Sequence, residues 1–397
     1  MRTRGLFPLL ALILASCTAE GRSGPAGPPQ NAVLLGSTAG VVSLDPRNGS
    51  VLFEGEGVPA LGDWSTVYRT TLSGRSTILE ARDSATGQIG TSISIPGELS
   101  VRVASHDGSR VALMRPLPAG ASPWVPEARG FTKIVVADPT GREEPMHFRL
   151  KGNFEPEAFS SDGNSLYMIG YVPPRAPEAY RVSQLDLANG TVLPVSAGKG
   201  VAETMSGTRL EQLAPADGSF LFTLYTTQPP GYAEVRAANG DPVAFVHTLN
   251  LDEGWAHCIG LPKELWGGDP ADEAMAVSPD GRFLYVVDSA RDVVAVVSMD
   301  LDTWGEMRTE TVDFGPAGPG ETQAAVAADG TLFVATGSNV AKGRHRHVRA
   351  SGPVDRTGLG AGDGIRRRRV VRAGEGNDRG RRPLDGPESQ GDRHTGG

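Results

Sequence analysis

Short segments that alternate between apolar and polar residues recur along most of this chain, and they end in turns built on Asp and Gly. In one series a strand, an Asp-Gly turn and a second strand follow each other, as in MAVSPDGRFLYVV around Asp280. In a second series a strand runs into a turn led by Asp or Asn, as in VVAVVSMDLDTW around Asp300. Segments rich in Val, Ile and Tyr that are joined by such turns are typical of antiparallel hairpins. The pattern therefore predicts strands over residues 31 to 340.

The two series alternate, and each recurs at intervals of about fifty residues, which suits a four-stranded unit. The first series has its turns at Asp107, Asp162, Asp217, Asp280 and Asp329. The second has its turns at Asp45, Asp83, Asp138, Asp186, Asn250 and Asp300. The sequence predicts an all-β protein, a β-propeller of six to eight four-stranded blades with seven as the favoured number. The last blade is left unfinished at Asn339, and the first begins at Ala32 without an obvious preceding strand, so we expect the ring to stop short.

One unit carries a family resemblance. The segment AVSPDGRFLYVVDSARDVVAVV, from Ala276 to Val297, resembles the YVTN-type propeller repeat, which is itself similar to WD-type repeats. The resemblance extends over most of residues 31 to 340. It implies a propeller fold and no particular function, because propellers serve as enzymes, ligand binders and scaffolds.

Composition and charge narrow the classes of partner. The 397 residues include 52 Gly and 30 Pro, which fits a protein with many turns. The formal net charge is −8, but residues 341 to 397 hold 14 Lys and Arg against 7 Asp and Glu, so the rest of the chain carries −15. An acidic body repels phosphate backbones, so nucleic acid is not expected as a partner.

The N-terminal segment MRTRGLFPLLALILASCTAE has the features of a secretory signal. Arg2 and Arg4 precede an apolar run, Leu6 to Leu14, that is too short to span a bilayer. The four residues that end at Cys17, Leu-Ala-Ser-Cys, resemble the bacterial lipobox, which implies lipidation of Cys17 as the mature N-terminus. The alternative is an ordinary signal peptide with an incidental Cys.

The propeller pattern breaks at about residue 341, where the chain turns to Arg, Gly, His and Asp. Shifting the reading frame by one nucleotide from Gly343 permits VAIDTFE, and the same shift further on permits an Asp-Gly repeat and GTIVVVDPLTG. Three propeller-like matches in the right order favour a frameshift. The alternatives are a natively disordered Arg/Gly tail, and a nucleic-acid- or metal-binding tail formed by Arg366 to Arg369 with His345 and His347. In every case this tail lacks the apolar content to fold.

These features give a map of four segments. Residues 1 to 16 are the predicted lipoprotein signal, 17 to 30 a Gly/Pro/Ser-rich tether, 31 to 340 the propeller and 341 to 397 a disordered tail. We expect a monomer that its Cys17 lipid holds on the extracytoplasmic face of the membrane. Only Cys258 remains in the mature body, so neither a disulfide framework nor a dithiol redox site is expected.

Three segments interrupt the repeat with Pro and aromatic residues: 115 to 130, 171 to 180 and 226 to 235. Loops on a propeller face that are stiffened by Pro lose little entropy on binding, which suits a recognition surface. The candidate ligand-binding residues in these segments are Trp124, Tyr171, Tyr180 and Tyr232. The alternative is that the segments are hairpin loops packed on neighbouring blades.

A further segment, NLDEGWAHCIGLP from Asn250 to Pro262, is the least repeat-like part of the predicted propeller. In a strand Trp255 and His257 fall on one face and Cys258 on the other, so His257 and Cys258 cannot hold one metal without a bend. Trp255 and His257 are candidate ligand-binding residues, and structural packing is the alternative. The Asp residues of the Asp-Gly turns are assigned to turn geometry rather than to calcium binding, because the turn itself requires Asp and Gly there.

The sequence holds no nucleophile elbow, phosphate loop, haem-attachment motif or zinc spacing, so we expect no cofactor and no catalysis. We expect a propeller that binds an envelope protein or a small ligand on one face. The alternative is a propeller hydrolase of the lactonase kind, with dispersed Glu, Asp and Asn side chains around a divalent cation in the channel. Such an acidic set would favour the hydrolase, and a dry or Gly-lined channel would favour the binding module.

Overall fold

Seven antiparallel sheets make up the part of the chain that the structure describes. The structure is a computed structural model, and it describes residues 11–13, 33–37, 40–44, 50–55, 57–60, 65–118, 127–197, 204–229, 231–300, 303–314, 321–327, 329–336 and 339–343. In each sheet the antiparallel strands form a meander, in which strands adjacent in sequence are adjacent in space. The seven blades predicted from the repeat are therefore confirmed.

The first four sheets have four strands each, in sequence order. Sheet 1 contains β1 (Ala11–Ile13), β2 (Val33–Ser37), β3 (Gly40–Leu44) and β4 (Val51–Gly55). Sheet 2 contains β5 (Val58–Pro59), β6 (Thr66–Ser73), β7 (Ser76–Asp83) and β8 (Ile89–Pro96). Sheet 3 contains β9 (Ser100–Ala104), β10 (Val111–Met114), β11 (Phe131–Ala137) and β12 (Met146–Lys151). Sheet 4 contains β13 (Asn153–Phe159), β14 (Ser165–Val172), β15 (Ala179–Asp186) and β16 (Val192–Pro194).

Two of the remaining three sheets differ from the four-stranded arrangement in their number of described strands. Sheet 5 contains β17 (Ser196–Ala197), β18 (Thr208–Leu213), β19 (Phe220–Thr227), β20 (Phe245–Asn250) and β21 (Trp255–Gly260), with β17 added in parallel outside β21. Sheet 6 contains β22 (Glu273–Val277), β23 (Phe283–Asp288), β24 (Val293–Ser298) and β25 (Met307–Thr311). Sheet 7 contains β26 (Thr322–Val326), β27 (Leu332–Thr336) and β28 (Asn339–Gly343). The helices within the described ranges are α1 (Tyr232–Asn239) and two 3₁₀ turns, Lys263–Leu265 and Pro270–Asp272.

The Asp-Gly turns join the first and second strands of the sheets as the repeat predicts. At Asp280 the carboxylate accepts hydrogen bonds from the Ser278 hydroxyl at 2.6 Å and from the Arg282 backbone N–H at 3.1 Å. The following Gly281 has φ +69°, a conformation that glycine adopts without strain. The same arrangement recurs at Asp107 and Asp162. The assignment of these Asp residues to turn geometry is thus confirmed.

Neighbouring sheets meet through their first strands and share hydrophobic cores. The first strands β9 and β13, β18 and β22, and β22 and β26 contact each other in turn. Five clusters of buried side chains lie between successive sheets from sheet 2 to sheet 7. When the apolar face of one sheet packs on the next, most of its apolar surface is removed from water. This burial stabilises the fold by roughly 25 cal/mol per Å² of apolar surface. The ring thus holds its cores between blades rather than within them.

The first sheet takes its first strand from the predicted signal peptide. Strand β1 pairs with β2, with Ala11 opposite Gly36 and Ile13 opposite Leu34, and it also contacts β26 of sheet 7. The sequence left this blade without a preceding strand, whereas the structure closes the ring with residues 11–13. An unpaired inner edge leaves backbone N–H and C=O groups unsatisfied, so an extended segment within reach is stabilised there.

The last sheet has three strands within the described ranges. Strand β28 runs through Gly343 and pairs with β27 up to Leu332. The strand therefore extends three residues beyond the predicted propeller boundary at residue 340. Residues 344 to 397, where the frameshift is inferred, lie outside the described residues.

Candidate functional site

Long connections are concentrated on one face of the ring, at sheets 3 to 5. The connection between the second and third strands of a meander emerges where the first strand begins, so these connections share a face. In sheets 1, 2 and 7 only two residues separate the two strands. In sheets 3, 4 and 5 the connections span 115–130, 173–178 and 228–244. The three Pro-containing segments found in the sequence therefore belong to three consecutive blades on the same face.

Asn153, the first residue of β13, fixes two of these connections. Its amide donates to the backbone oxygens of Glu127 at 2.7 Å and Pro174 at 3.1 Å. Its side-chain oxygen accepts from Nε of Arg129 at 2.6 Å, and Arg129 also pairs with the buried Glu155 carboxylate at 2.8 Å. Buried amides with all partners in place hold a loop in one conformation. The described residues at the end of the sheet 3 connection and in the sheet 4 connection are thus tied to the start of β13.

A cleft of about 340 Å³ opens on this face between sheets 4 and 5. Three tyrosines line it, and we call it the tyrosine cleft. Tyr171 and Tyr180 lie opposite each other on β14 and β15, with ring centroids 6.3 Å apart and the planes at 71°. Tyr180 stacks on Tyr225 of β19 at 5.5 Å, and Tyr225 stacks on Phe245 at 4.9 Å. The rings are therefore held by mutual packing before any ligand arrives.

A buried ion pair joins the two sheets at the base of the tyrosine cleft. Nη1 of Arg209 on β18 lies 3.1 Å from Oε1 of Glu157 on β13, and the Glu157 side chain is fully buried. Gln212 donates to the same oxygen at 3.1 Å. Burial raises the pKa of Glu157, and Arg209 and Gln212 oppose that rise. The charge of Arg209 is thus balanced within the protein.

The opposite wall offers one unused hydrogen-bond donor. Nε2 of Gln228 is buried and has no partner among the described residues, while its Oε1 accepts from Ser206 at 3.1 Å. A Cβ atom at Gly207, which has φ +104°, would stand 2.7 Å from both this nitrogen and the Thr227 backbone oxygen. Only glycine lets the chain approach Gln228 so closely. Pro177 and Pro229 complete the rim.

The hydroxyls of the tyrosine cleft are neutral at physiological pH. Burial raises the pKa of Tyr171 to about 12, and it also raises the pKa values of Tyr180 and Tyr225. The Tyr180 hydroxyl donates to the Ser206 backbone oxygen at 3.3 Å. Neutral phenols stacked beside prolines suit planar or ring-shaped ligands with few charges.

The structure brings together two of the six predicted ligand-binding residues, Tyr171 and Tyr180. They lie at the ends of paired strands rather than in the loop itself. Trp124 lies outside the described residues, and Tyr232 begins helix α1 with a side chain that the structure does not describe. The part that Trp124 and Tyr232 play in binding therefore stays a prediction.

Trp255 and His257 lie on β21, the last strand of the sheet 5 meander, and neither lines the tyrosine cleft. The Trp255 ring packs edge-on against Phe220 at 5.8 Å and Trp304 at 5.6 Å. The Trp255 indole N–H donates to Glu253 at 2.8 Å. His257 is exposed on the same strand. This geometry accounts for Trp255 through packing, and ligand binding by either residue stays a prediction.

Sequence reasoning missed the residues Glu157, Arg209 and Tyr225. The segments NFEPEAF and TRLEQL place charged residues in first strands, where a buried charge needs a partner, and that was a readable signal. The identity of the partner was not readable, because Glu157 and Arg209 are 52 residues apart in the chain. Tyr225 stands in an ordinary strand pattern and gives no signal of its own.

The first strands of sheets 5 and 6 also carry buried glutamates, the kind of side chain that the hydrolase alternative needs around its channel. Burial raises the pKa of Glu211 and of Glu273 to about 7. Glu211 accepts a hydrogen bond from the Met275 backbone N–H at 2.5 Å. Within the described ranges no group of three or more His, Cys, Asp or Glu side chains is placed to hold a metal ion.

No protein-family model and no curated protein sequence matches this chain. Among solved structures, Kuenenia stuttgartiensis hydrazine synthase is similar at 18% identity over 78% of this chain and 91% of that chain, with a TM-score of 0.46. TolB from Acinetobacter baumannii is similar at 15% identity over 79% and 64%, with a TM-score of 0.38. A putative TolB from Agrobacterium tumefaciens is similar at 16% over 74% and 93%, with a TM-score of 0.36. Likenesses this distant carry no argument about activity.

None of the helices in the described part of the chain is long and apolar enough to cross a membrane.

Proposed function

We propose that this chain is a lipid-anchored, extracytoplasmic β-propeller that binds a small ligand, or a short segment of an envelope protein, in the tyrosine cleft. The observation that carries the proposal is the packed cluster of Tyr171, Tyr180 and Tyr225 on the face where the long connections lie. Ligand sites in proteins are typically concave and aromatic, with a few well-placed polar groups.

The side chains of the tyrosine cleft restrict the class of ligand that it can bind. The positive charge of Arg209 is paired with Glu157, so the base of the cleft has no unpaired charge that would favour an anionic ligand. The unused Gln228 amide calls for a hydrogen-bond acceptor, since a buried donor without a partner costs about 1–3 kcal/mol. Proline rims and tyrosine faces suit planar or ring-shaped groups, including proline rings. A neutral ligand with an aromatic or proline ring and one carbonyl oxygen fits these requirements.

The binding proposal is tested with small aromatic and proline-derived carbonyl compounds by ligand-observed NMR. We expect compounds that bind the wild-type protein to lose at least ten-fold in affinity in Tyr171→Leu and Gln228→Leu variants. Trp255→Leu and His257→Gln serve as matched controls, and we expect both to bind as the wild type does. Binding that survives at the tyrosine cleft variants and fails at Trp255→Leu would transfer the site to β21.

The anchoring part of the proposal rests on the lipobox resemblance at Cys17, which lies outside the described residues. Two or three acyl chains hold a protein on a membrane stably, whereas one holds it only marginally. Expressed in a bacterial host, the protein should show by intact-mass measurement a diacylated or triacylated Cys17 at its N-terminus. Cys17→Ser should leave it unprocessed. A wild-type product that keeps Arg2 and carries no lipid would contradict the anchor.

A further inference from the structure

Cys258 lies beside two side chains that can bind a metal, the Met205 thioether and the His247 imidazole. Neither of these residues lines the tyrosine cleft. Cys258 lies on β21 directly opposite His247 of β20, so the two side chains share one face of sheet 5. Its Sγ atom is 3.7 Å from Nδ1 of His247 and 3.5 Å from Sδ of Met205. His257, which the sequence weighed as a partner for Cys258, is the preceding residue and faces the other way.

These three side chains are carried by two backbone elements: the β20–β21 hairpin and the connection that precedes β18. His247 and Cys258 belong to the paired strands β20 and β21. Met205 lies on the connection that precedes β18, and its backbone exchanges two hydrogen bonds with Tyr180 of sheet 4, at 2.8 and 2.9 Å. The donor cluster therefore spans the seam between sheets 4 and 5, and both elements are held by backbone pairing.

Two of the three donor-to-donor distances fit one shared ion. Two donors that bind one metal through bonds of about 2.0–2.3 Å, as at zinc, stand roughly 3.5–4 Å apart. The two distances measured from Cys258 fall in that range. A second observation concerns His247, whose side chain is 2% exposed. Its Nδ1, the ring nitrogen that would bind the ion, lies beside the Cys258 sulfur.

The donor set selects the kind of metal. A thiolate with a thioether prefers soft monovalent ions, and imidazole accepts them as well, whereas Zn²⁺ sites are built from Cys, His and carboxylates. Met205 is 6% exposed, which keeps its thioether away from competing water.

We propose that Met205, His247 and Cys258 form a site for a soft monovalent metal ion, Cu(I) or Ag(I), at the seam between sheets 4 and 5. Binding forms bonds from the ion to two sulfurs and one nitrogen, and it releases the thiol proton of Cys258 to solvent. No electron is transferred in this step. The site is separate from the tyrosine cleft, although Tyr180 contributes backbone contacts to the segment that carries Met205.

The test uses the full chain with Cys17→Ala, which leaves Cys258 as the sole thiol of the sequence. Ag(I) in chloride-free buffer is titrated by calorimetry and native mass spectrometry, and Cu(I) is titrated against a chromophoric chelator. We expect one ion per chain, no comparable binding of Zn²⁺, and a rise in melting temperature, because a ligand that binds only the folded state stabilises it.

The variants separate a three-donor site from a lone thiol. Met205→Leu and His247→Gln should each weaken Ag(I) and Cu(I) binding at least ten-fold, and Cys258→Ser should abolish it. Met275→Leu, a buried methionine of β22, is the matched control and should bind as the parent does. Equal affinity in Met205→Leu, His247→Gln and the parent would overturn the proposal. X-ray absorption of the loaded parent chain decides the matter even if a variant fails to fold, since a first shell without two sulfurs and one nitrogen also overturns it.

Discussion

The Asp-Gly turns show how single residues set the local fold. At Asp162 the carboxylate accepts hydrogen bonds from the Ser160 hydroxyl at 2.6 Å and from the Asn164 N–H at 3.0 Å. These bonds favour the ionised form and hold the pKa of Asp162 below its usual range. The turn that joins β13 to β14 therefore depends on the charge of this residue.

Asp162→Ala should lower the free energy of unfolding by about 1 kcal/mol at neutral pH, because three hydrogen bonds of the turn are lost, one of them from the Asn164 side-chain amide. The folded-state pKa is depressed, so the contribution is present above the unfolded pKa and is lost as pH falls through the folded pKa. Urea denaturation of wild type and variant at a series of pH values measures this. Asp241→Ala, at an exposed position beyond helix α1, is the control. A deficit that stays constant down to acidic pH would contradict the account.

At the residue scale the sequence predicted what local geometry dictates. Turn residues such as Asp280 and Gly281 could be assigned because their conformation is set by their immediate neighbours. Tyr171 and Tyr180 could be singled out because they flank a Pro-rich segment. Their meeting with Tyr225 could not be predicted, since it depends on how sheet 4 stacks on sheet 5.

At the scale of elements, the seam between β13 and β18 depends on one buried ion pair, Arg209 with Glu157. A buried pair contributes little net stability compared with apolar residues, but removal of one partner leaves an uncompensated charge. Arg209→Met should therefore cost about 3–5 kcal/mol, while the double variant Arg209→Met with Glu157→Gln should recover most of that loss.

The pH dependence of the single variant has a definite sign. Burial already raises the pKa of Glu157 in the wild-type protein, and without Arg209 that pKa rises further, so the Arg209→Met protein loses stability as pH rises and loses less in acid. Denaturant melts of the two variants at mildly acidic and mildly alkaline pH measure this difference. A double variant no more stable than Arg209→Met at alkaline pH would show that the pair does not act as a unit.

The strands themselves were predictable from alternation and turn spacing, and their contacts across blades were not. The sequence placed His257 and Cys258 on opposite faces of one strand, and β21 confirms this. The neighbour that Cys258 does contact is His247, which β20 brings opposite it. Register between strands is set by the fold as a whole, so such pairs stay hidden in a single sequence.

For the whole molecule, ring closure is the feature that the sequence left open. Strand β1 supplies the first strand of sheet 1 and contacts β26, yet residues 11–13 belong to the segment that cleavage before Cys17 would remove. A chain that begins at Cys17 should therefore melt at a lower temperature than the uncleaved Cys17→Ala chain, because β2 loses the backbone pairing of one edge. Equal melting temperatures would show that β1 does not contribute to closure.

The most direct test of the binding account is a crystallographic soak of the protein with small aromatic and proline-derived carbonyl fragments. The account predicts that fragments collect in the tyrosine cleft, with a ring against Tyr171 or Tyr225 and a carbonyl oxygen accepting from Nε2 of Gln228. A tyrosine cleft that stays empty while fragments gather at Trp255 or along the first strands of the ring would contradict it.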